Sequence, residues 1–197
     1  MNVRRATADD IPRAADALAE AFDGDPPMRW FLPEDEDREE RLRPYFRALI
    51  SHLHLPYGEV WVSDDPVGAA GWVEPGAWPF SSRRRRRVIP VELRTFRRHP
   101  IRAMQGVEVL ERNHPTEPHW FLDWIGVERA GQGRGVGSAL LRPMLERCDA
   151  DGTPAYLNAG SPRSRELYLR HGFEVTERFH LPDGGPPLWR MWRDPQT

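Results

Sequence analysis

Lysine is absent from this chain: all 28 basic residues are arginine. That excludes every lysine-based mechanism, and with it a Walker-type phosphate loop, which depends on a lysine. Cysteine is almost absent too. With Cys148 alone there is neither an internal disulfide nor a multi-cysteine zinc site, and no metal centre is expected. No run approaches the roughly 18 consecutive apolar residues of a membrane helix. The polar start Met1 to Asp10 carries no apolar signal core, so a cytoplasmic protein with no membrane partner is expected.

What is present is enough for one soluble domain with its own core: 197 residues, 39% of them hydrophobic. A formal charge of -2 predicts no affinity for nucleic acid. The charge is nevertheless uneven. Residues Glu34 to Glu40 hold six acids and one arginine, whereas Ser81 to Arg102 hold nine arginines and a single acid, Glu92. Five consecutive guanidiniums, Arg83 to Arg87, offer a phosphate-binding patch, but no interleaved aromatics or RNA-binding motif accompany them, so a solvated face is the expected reading.

Periodicity organises the chain. Val3 to Ala6 reads as a strand, and Thr7 with Asp10 caps an amphipathic helix that ends at Asp23 to Pro27. Helical spacing of Leu42, Tyr45, Phe46, Leu49, Ile50 and Leu53 predicts a helix over Arg38 to His54, with Pro44 marking a break or start. Glu59 to Ser63 and Ala69 to Glu74 form a hairpin around Asp64 to Gly68. Residues 75 to 118 are arginine-rich, interrupted by prolines, and carry helices near Ile89 to Arg97 and Ile101 to Arg112. Trp120 to Val127 is a strand, Ser138 to Cys148 a helix, Ala155 to Ala159 a strand and Ser161 to His171 a helix. Two strands, Phe173 to His180 and Leu188 to Trp192, close the chain. A mixed α/β sandwich follows.

The chemistry-bearing motif is Gln132-Gly133-Arg134-Gly135-Val136-Gly137. Three glycines within five residues let backbone amides turn towards one point just before a helix starts, which favours a phosphate or pyrophosphate. A dinucleotide fingerprint would instead place Gly-x-Gly-x-x-Gly in an early βαβ unit with an acid on the next strand. Here the motif comes late and the next strand ends in Asn158.

These residues resemble the GCN5-related N-acetyltransferase (GNAT) superfamily, whose core motif is Gln/Arg-x-x-Gly-x-Gly/Ala: Gln132, Gly135 and Gly137 fit it. The second motif of the superfamily is matched by Ala155 to Ser164 and by Leu167-Tyr168-Leu169-Arg170-His171-Gly172-Phe173. Over its whole length the chain resembles puromycin N-acetyltransferase-like members, departing from them at Asn158 and Ser164. The resemblance implies a single N-acetyltransferase domain over 1–197, with 75–118 as a helical insertion, and a mostly antiparallel sheet whose central strands splay. It implies acetyl-CoA as cosubstrate and a small-molecule amine as acceptor, with a protein or peptide amine, or a non-catalytic acyl-CoA-binding regulator, as alternatives. It leaves a homodimer open and involves no nucleic acid.

On that basis Gln132, Gly133, Arg134, Gly135, Val136, Gly137 and Ser138 would seat the pyrophosphate, and Ile125, Gly126, Val127 and Asn158 would line the pantetheine slot, with Ser161 and Ser164 beside it. Tyr168, at the family's tyrosine position, would protonate the departing thiolate, which suits a phenol that stays protonated at neutral pH. Asp123, read as sharing a strand face with Phe121, Ile125 and Val127, is the candidate base. Asp23, Asp25, Trp30 and Trp124 would contact the acceptor.

Overall fold

The computed structural model describes residues 2–33, 36–57, 59–65 and 67–196. Met1, Pro66 of the hairpin turn, and Glu34 and Asp35 of the acidic run lie outside the described residues. Seven strands form one sheet: β1 (Val3–Arg5), β2 (Val60–Ser63), β3 (Gly68–Val73), β4 (Trp120–Val127), β5 (Ala155–Ala159), β6 (Glu174–His180) and β7 (Pro187–Arg193). Their spatial order is β1-β2-β3-β4-β5-β7-β6, and every neighbouring pair is antiparallel except β4 and β5. The helices are α1 (Ile11–Asp23), α2 (Pro26–Phe31), α3 (Arg38–Leu49), α4 (Ser82–Arg85), α5 (Ile89–Thr95), α6 (Pro100–Arg112), α7 (Val136–Asp151) and α8 (Pro162–Leu169). This is the expected mixed, mostly antiparallel sheet flanked by helices.

Two cores sandwich the sheet. On one face Ala14, Ala15 and Leu18 of α1 and Leu42, Phe46 and Leu49 of α3 pack on Val60, Val62, Phe121, Trp124 and Tyr156. On the other, Leu140, Leu141, Met144, Leu145 and Cys148 of α7, the apolar stripe predicted for that helix, pack with Tyr168 on Trp72, Leu122, Leu157 and Met191. A smaller cluster of Trp30, Phe179, Leu181 and Leu188 joins α2 to the β6–β7 hairpin.

Several boundaries differ from the reading of the sequence for local reasons. The predicted second helix changes pitch after Leu49, where a π-type segment, Ile50–His54, turns His54 into the core. The stretch taken as a helix terminator contains a new start, since Asp25 caps α2 with Pro26 in its first turn. The predicted α7 begins two residues earlier, at Val136, because Gly135 in the left-handed region (φ +81°) is already its cap.

Asp10 shows how the first helix is held. Both oxygens accept from the Arg4 guanidinium at 2.7 Å, and the backbone N–H and hydroxyl of Thr7 also donate to it. The Arg4 hydrogen bonds, reinforced by those from Thr7, hold the Asp10 carboxyl well below the usual carboxylate range. A carboxyl depressed in the fold contributes stability above its unfolded pKa, ordinarily 3.8, and loses it as pH falls towards its folded value. Asp10→Asn should therefore lower Tm at neutral pH, with the gap to the parent closing as pH drops through the carboxylate range. A gap independent of pH in thermal melts would contradict this.

Candidate active site

The site begins where two strands part. β4 and β5 run in parallel register only over Trp120↔Ala155, Phe121↔Tyr156 and Leu122↔Leu157. Beyond Leu122, β4 continues along β3, with Trp124 opposite Gly71 and Val127 opposite Gly68, whereas β5 continues along β7, with Asn158 opposite Arg190 and Ala159 opposite Trp189. The facing edges, Asp123 to Val127 and Asn158 to Gly160, therefore have no strand between them among the described residues, and their peptide groups, apart from the Val127 carbonyl that Gln132 holds, are open to an extended ligand.

A β-bulge sits at the fork. Trp72 of β3 faces Leu122 while the preceding Gly71 faces Trp124, so Asp123 is the extra residue. The inserted residue flips the alternation. Phe121 and Trp124 lie in one core and Leu122, Ile125 and Val127 in the other, so Asp123 does not share a face with Phe121, Ile125 and Val127 as predicted. It turns instead towards His54, whose Nε2 lies 3.1 Å from Asp123 Oδ2. His54 is 1% exposed, its Nδ1 is 3.2 Å from the Leu49 carbonyl, and its ring packs edge-on against Trp124 and Phe80.

Opposite the fork lies the glycine turn. Glu128 leads into one 3₁₀ turn, Arg129–Gly131, after which Gly133 (φ +76°) and Gly135 (φ +81°) take left-handed conformations. At both, a side chain would meet nothing within 4 Å, so backbone conformation and open approach, not packing, call for glycine. The amides of residues 133 to 138 donate to no acceptor among the described residues, while Ala139 N–H already bonds to the Gly135 carbonyl. An N-terminal turn of a 16-residue helix with unpaired donors fits an anion such as a pyrophosphate.

Several side chains assigned to cosubstrate contact also have structural partners within the chain. Gln132 braces the turn, its Nε2 donating to the Val127 carbonyl (2.9 Å) and its Oε1 accepting from Arg163 (2.7 Å). Ser161 and Ser164 cap α8 reciprocally, each backbone N–H donating to the other's Oγ at 3.1 Å. The Ser138 hydroxyl lies 2.9 Å from His171 Nε2, whose protonation is disfavoured by burial and by Arg170, Arg142 and Arg193. Arg134 is exposed and borders a shallow depression with Asp64 and Asp65.

Two titratable groups gather on the β5 side. Tyr168 is buried on α8, and burial, with a contribution from the charge of Asp25, pushes its phenol above the ordinary value. Asp25 reaches the same place from α2: Oδ2 accepts the Met28 N–H at 3.2 Å, and a Cβ on Gly160 would lie 3.1 Å from Oδ1 and 2.8 Å from Pro27 Cγ. Only glycine lets α2 close over the end of β5. Burial pushes the Asp25 carboxyl up to about 6, with the Met28 N–H opposing.

The other acceptor residues fare differently. Asp23 is engaged by Arg38 (3.0 Å) and Arg129 (3.7 Å). Trp30 is wedged between Gly106 of α6 and Gly185 of the β6–β7 turn, with the Arg102 guanidinium 5.2 Å from its ring centroid. Trp124 is a core residue, lying over Gly71 where any Cβ would collide with its ring. His54 was not singled out from the sequence. Cys148 is fully buried and its thiol is pushed up to about 12, chiefly by burial, which makes it a poor nucleophile.

Comparison with known proteins places this geometry. The acetyltransferase (GNAT) family profile matches residues 15–173. An uncharacterized N-acetyltransferase of Schizosaccharomyces pombe is 27% identical over 217 residues, spanning 100% of this chain and 85% of the relative. A solved structure from Corynebacterium glutamicum, described as histone acetyltransferase HPA2 and related acetyltransferase, is 30% identical with a TM-score of 0.76, covering 100% of this chain and 97% of that one. Arylalkylamine N-acetyltransferase 2 of Aedes aegypti shares the fold at 13% identity, with a TM-score of 0.62 and 99% coverage of both chains.

Proposed function

Because the chain belongs to the acetyltransferase (GNAT) family, whose enzymes use acetyl-CoA, we propose that it transfers the acetyl group directly to a primary amine of a small molecule. The observation that carries this reading is the fork between β4 and β5, opened next to the unpaired amides of residues 133 to 138. Those amides and the N-terminus of α7 hold the pyrophosphate, and Arg134 adds a charge-assisted contact. The free edges at Ile125 to Val127 and Asn158 to Gly160 take the pantetheine arm as an added strand. This delivers the thioester to the fork, where a backbone N–H near Val127 stabilises the oxyanion and Tyr168 protonates the departing sulfur. Asp25 and Trp30 stand at the acceptor end. Two carboxyls border the fork, Asp123 on β4 and Asp25 beside Gly160 at the end of β5, and either is a candidate for the proton that an ammonium must lose.

The resemblance to puromycin N-acetyltransferase-like members, from which the chain departs at Asn158 and Ser164, adds aminonucleosides to the acceptors to be tried without ranking them first. A second reading, a protein or peptide amine, rests on the structural relative described as a histone acetyltransferase. Acetyl-CoA consumption measured against aminonucleosides, aminoglycosides, polyamines and histone peptides separates the two. Turnover on a small amine, with peptides inert, is the expected result, and turnover confined to peptides would overturn the small-molecule reading.

The arginine run takes no part in this function. Arg84 packs over Tyr57 at 3.6 Å and pairs with Glu74, and Arg85 pairs with Glu92, while Arg83, Arg86 and Arg87 are exposed. Changing these last three to glutamine should leave acetyl transfer within about twofold, as for other exposed charges. Salt-sensitive DNA binding that is lost in the variant would revive a nucleic-acid role.

A further inference from the structure

We propose that Asp25 is the general base of the reaction, its carboxylate taking the proton that the acceptor's ammonium loses before attack. The proposal rests on the acetyl-transfer reading and goes beyond holding a cationic amine in place.

Geometry separates the two carboxyls. Asp123 has the His54 ring beside it, with Nε2 3.1 Å from its Oδ2 but no hydrogen bond formed between them. Asp25 accepts the Met28 N–H and has no charged partner among the described residues. On α1 its nearest acidic neighbour in sequence, Asp23, is taken by Arg38 and Arg129. On α2, the Arg29 guanidinium donates to the Asp23 carbonyl. On α8, Arg163 is bound to Gln132 and Arg165 to Glu166, leaving Tyr168 as the titratable group facing Asp25. On β5, Asn158 accepts the Tyr156 hydroxyl at 3.0 Å and carries no charge. Trp189 of β7, opposite Ala159, is neutral, and the guanidiniums of Arg165 and of Arg178 on β6 are spent on its ring, 5.1 and 5.7 Å from the centroid.

A half-buried carboxylate without a cation is a place where an ammonium gains more than it does in water. Its position is fixed, because Oδ2 is spent on the Met28 N–H of the cap and Oδ1 stays by Gly160 at the end of β5. Its carboxyl, pushed up to about 6 by burial, is matched to proton transfer near neutral pH.

The coupling to Tyr168 orders the proton steps. The charge of Asp25 opposes ionisation of the phenol. Once Asp25 has accepted the proton from the ammonium it is neutral, and Tyr168 then gives up its own proton more readily. The freed amine attacks the thioester carbonyl, a C–N bond forms and the C–S bond breaks, with the sulfur taking its proton from Tyr168. The nitrogen loses two protons overall. The first leaves through Asp25 to solvent, and the second restores the phenol, so the products are the amide, the free thiol and one proton.

The test is the pH dependence of kcat/KM for wild type, Asp25→Asn and Asp123→Asn with an amine found to be acetylated. Asparagine is as good an N-cap as aspartate, so α2 keeps its start. A carboxyl raised in the fold costs stability as pH rises from its unfolded value of 3.8 to about 6. The Tm of Asp25→Asn at pH 7 should accordingly equal or exceed that of wild type.

Asp25→Asn should lose about 100-fold or more at pH 7 and recover by about tenfold per pH unit as the amine deprotonates unaided. Acetyl-CoA affinity should hold, and Asp123→Asn should keep the acidic limb of the wild-type profile. A loss below about threefold in Asp25→Asn, a loss uniform in pH, or disappearance of the acidic limb in Asp123→Asn alone would overturn the assignment. Wild type that transfers acetyl to no amine would overturn the acetyl-transfer reading itself and Asp25's role with it.

Discussion

Tyr168→Phe should lower turnover by about 100-fold or more while leaving acetyl-CoA affinity and the melting curve nearly unchanged. The substitution keeps ring volume, so the contact with Phe173, at 5.9 Å between ring centroids, survives. The hydroxyl makes no hydrogen bond among the described residues, so its loss should cost less than the ~1 kcal/mol of a typical hydrogen bond. What disappears is the one proton that burial chiefly holds on the oxygen and that the proposed mechanism gives to the sulfur. Each tenfold loss in rate corresponds to about 1.4 kcal/mol of transition-state stabilisation, so 100-fold is about 2.7 kcal/mol, well above any packing effect. Steady-state transfer beside a melting curve separates the cases. Near-normal turnover would remove Tyr168 from the mechanism, and parallel losses of Tm and activity would make it a packing residue.

Gly135→Glu should abolish acetyl-CoA binding without unfolding the chain. The position is the left-handed cap of α7, and the space around it is open, so the fold bears the change as local strain. A glutamate there brings a negative charge to the very amides and helix terminus that attract the pyrophosphate, and that repulsion adds to the blocked approach. Strain at a left-handed residue is on the order of 1–2 kcal/mol, small beside loss of the phosphate seat. Titration calorimetry with CoA and circular dichroism together decide it. Unchanged affinity would sink the assignment of this turn, and loss of the helical signal would show only an unfolded variant.

How much of this could be read from residues depends on distance along the chain. β4 and β5 were legible to their ends because each is a dense β-forming run closed by a glycine-containing turn. The stripe from Leu140 to Cys148 identified α7 and the face it buries. The start of α2 was not legible. Asp25-Pro26-Pro27 stops one helix and caps another, and only the closure of Pro27 over Gly160 shows which element follows. Nor was the bulge at Asp123, since one extra residue in an apolar strand leaves composition unchanged while exchanging faces. His54 was out of reach because a π-type segment aims it, and its partner lies on a strand from a distant part of the chain. Gln132, Ser161 and Ser164 were read from the sequence as cosubstrate contacts, and the bracing and capping bonds of their side chains were not legible there because each depends on folded neighbours. Trp124 was read as an acceptor wall and fills the core over Gly71, a contact that strand register alone decides.

The proposed direct transfer accords with a chain that has no lysine and whose single cysteine is buried with a thiol pushed up to about 12. The most direct test mixes enzyme at substrate-level concentration with acetyl-CoA and an accepted amine, then counts free CoA thiol, N-acetylated product and the intact mass of the protein. One acetylated amine per thiol released, on a protein of unchanged mass at every time point, is the predicted result. Thiol release that no amine alters, or an acetyl group appearing on the protein before it reaches the amine, would contradict it.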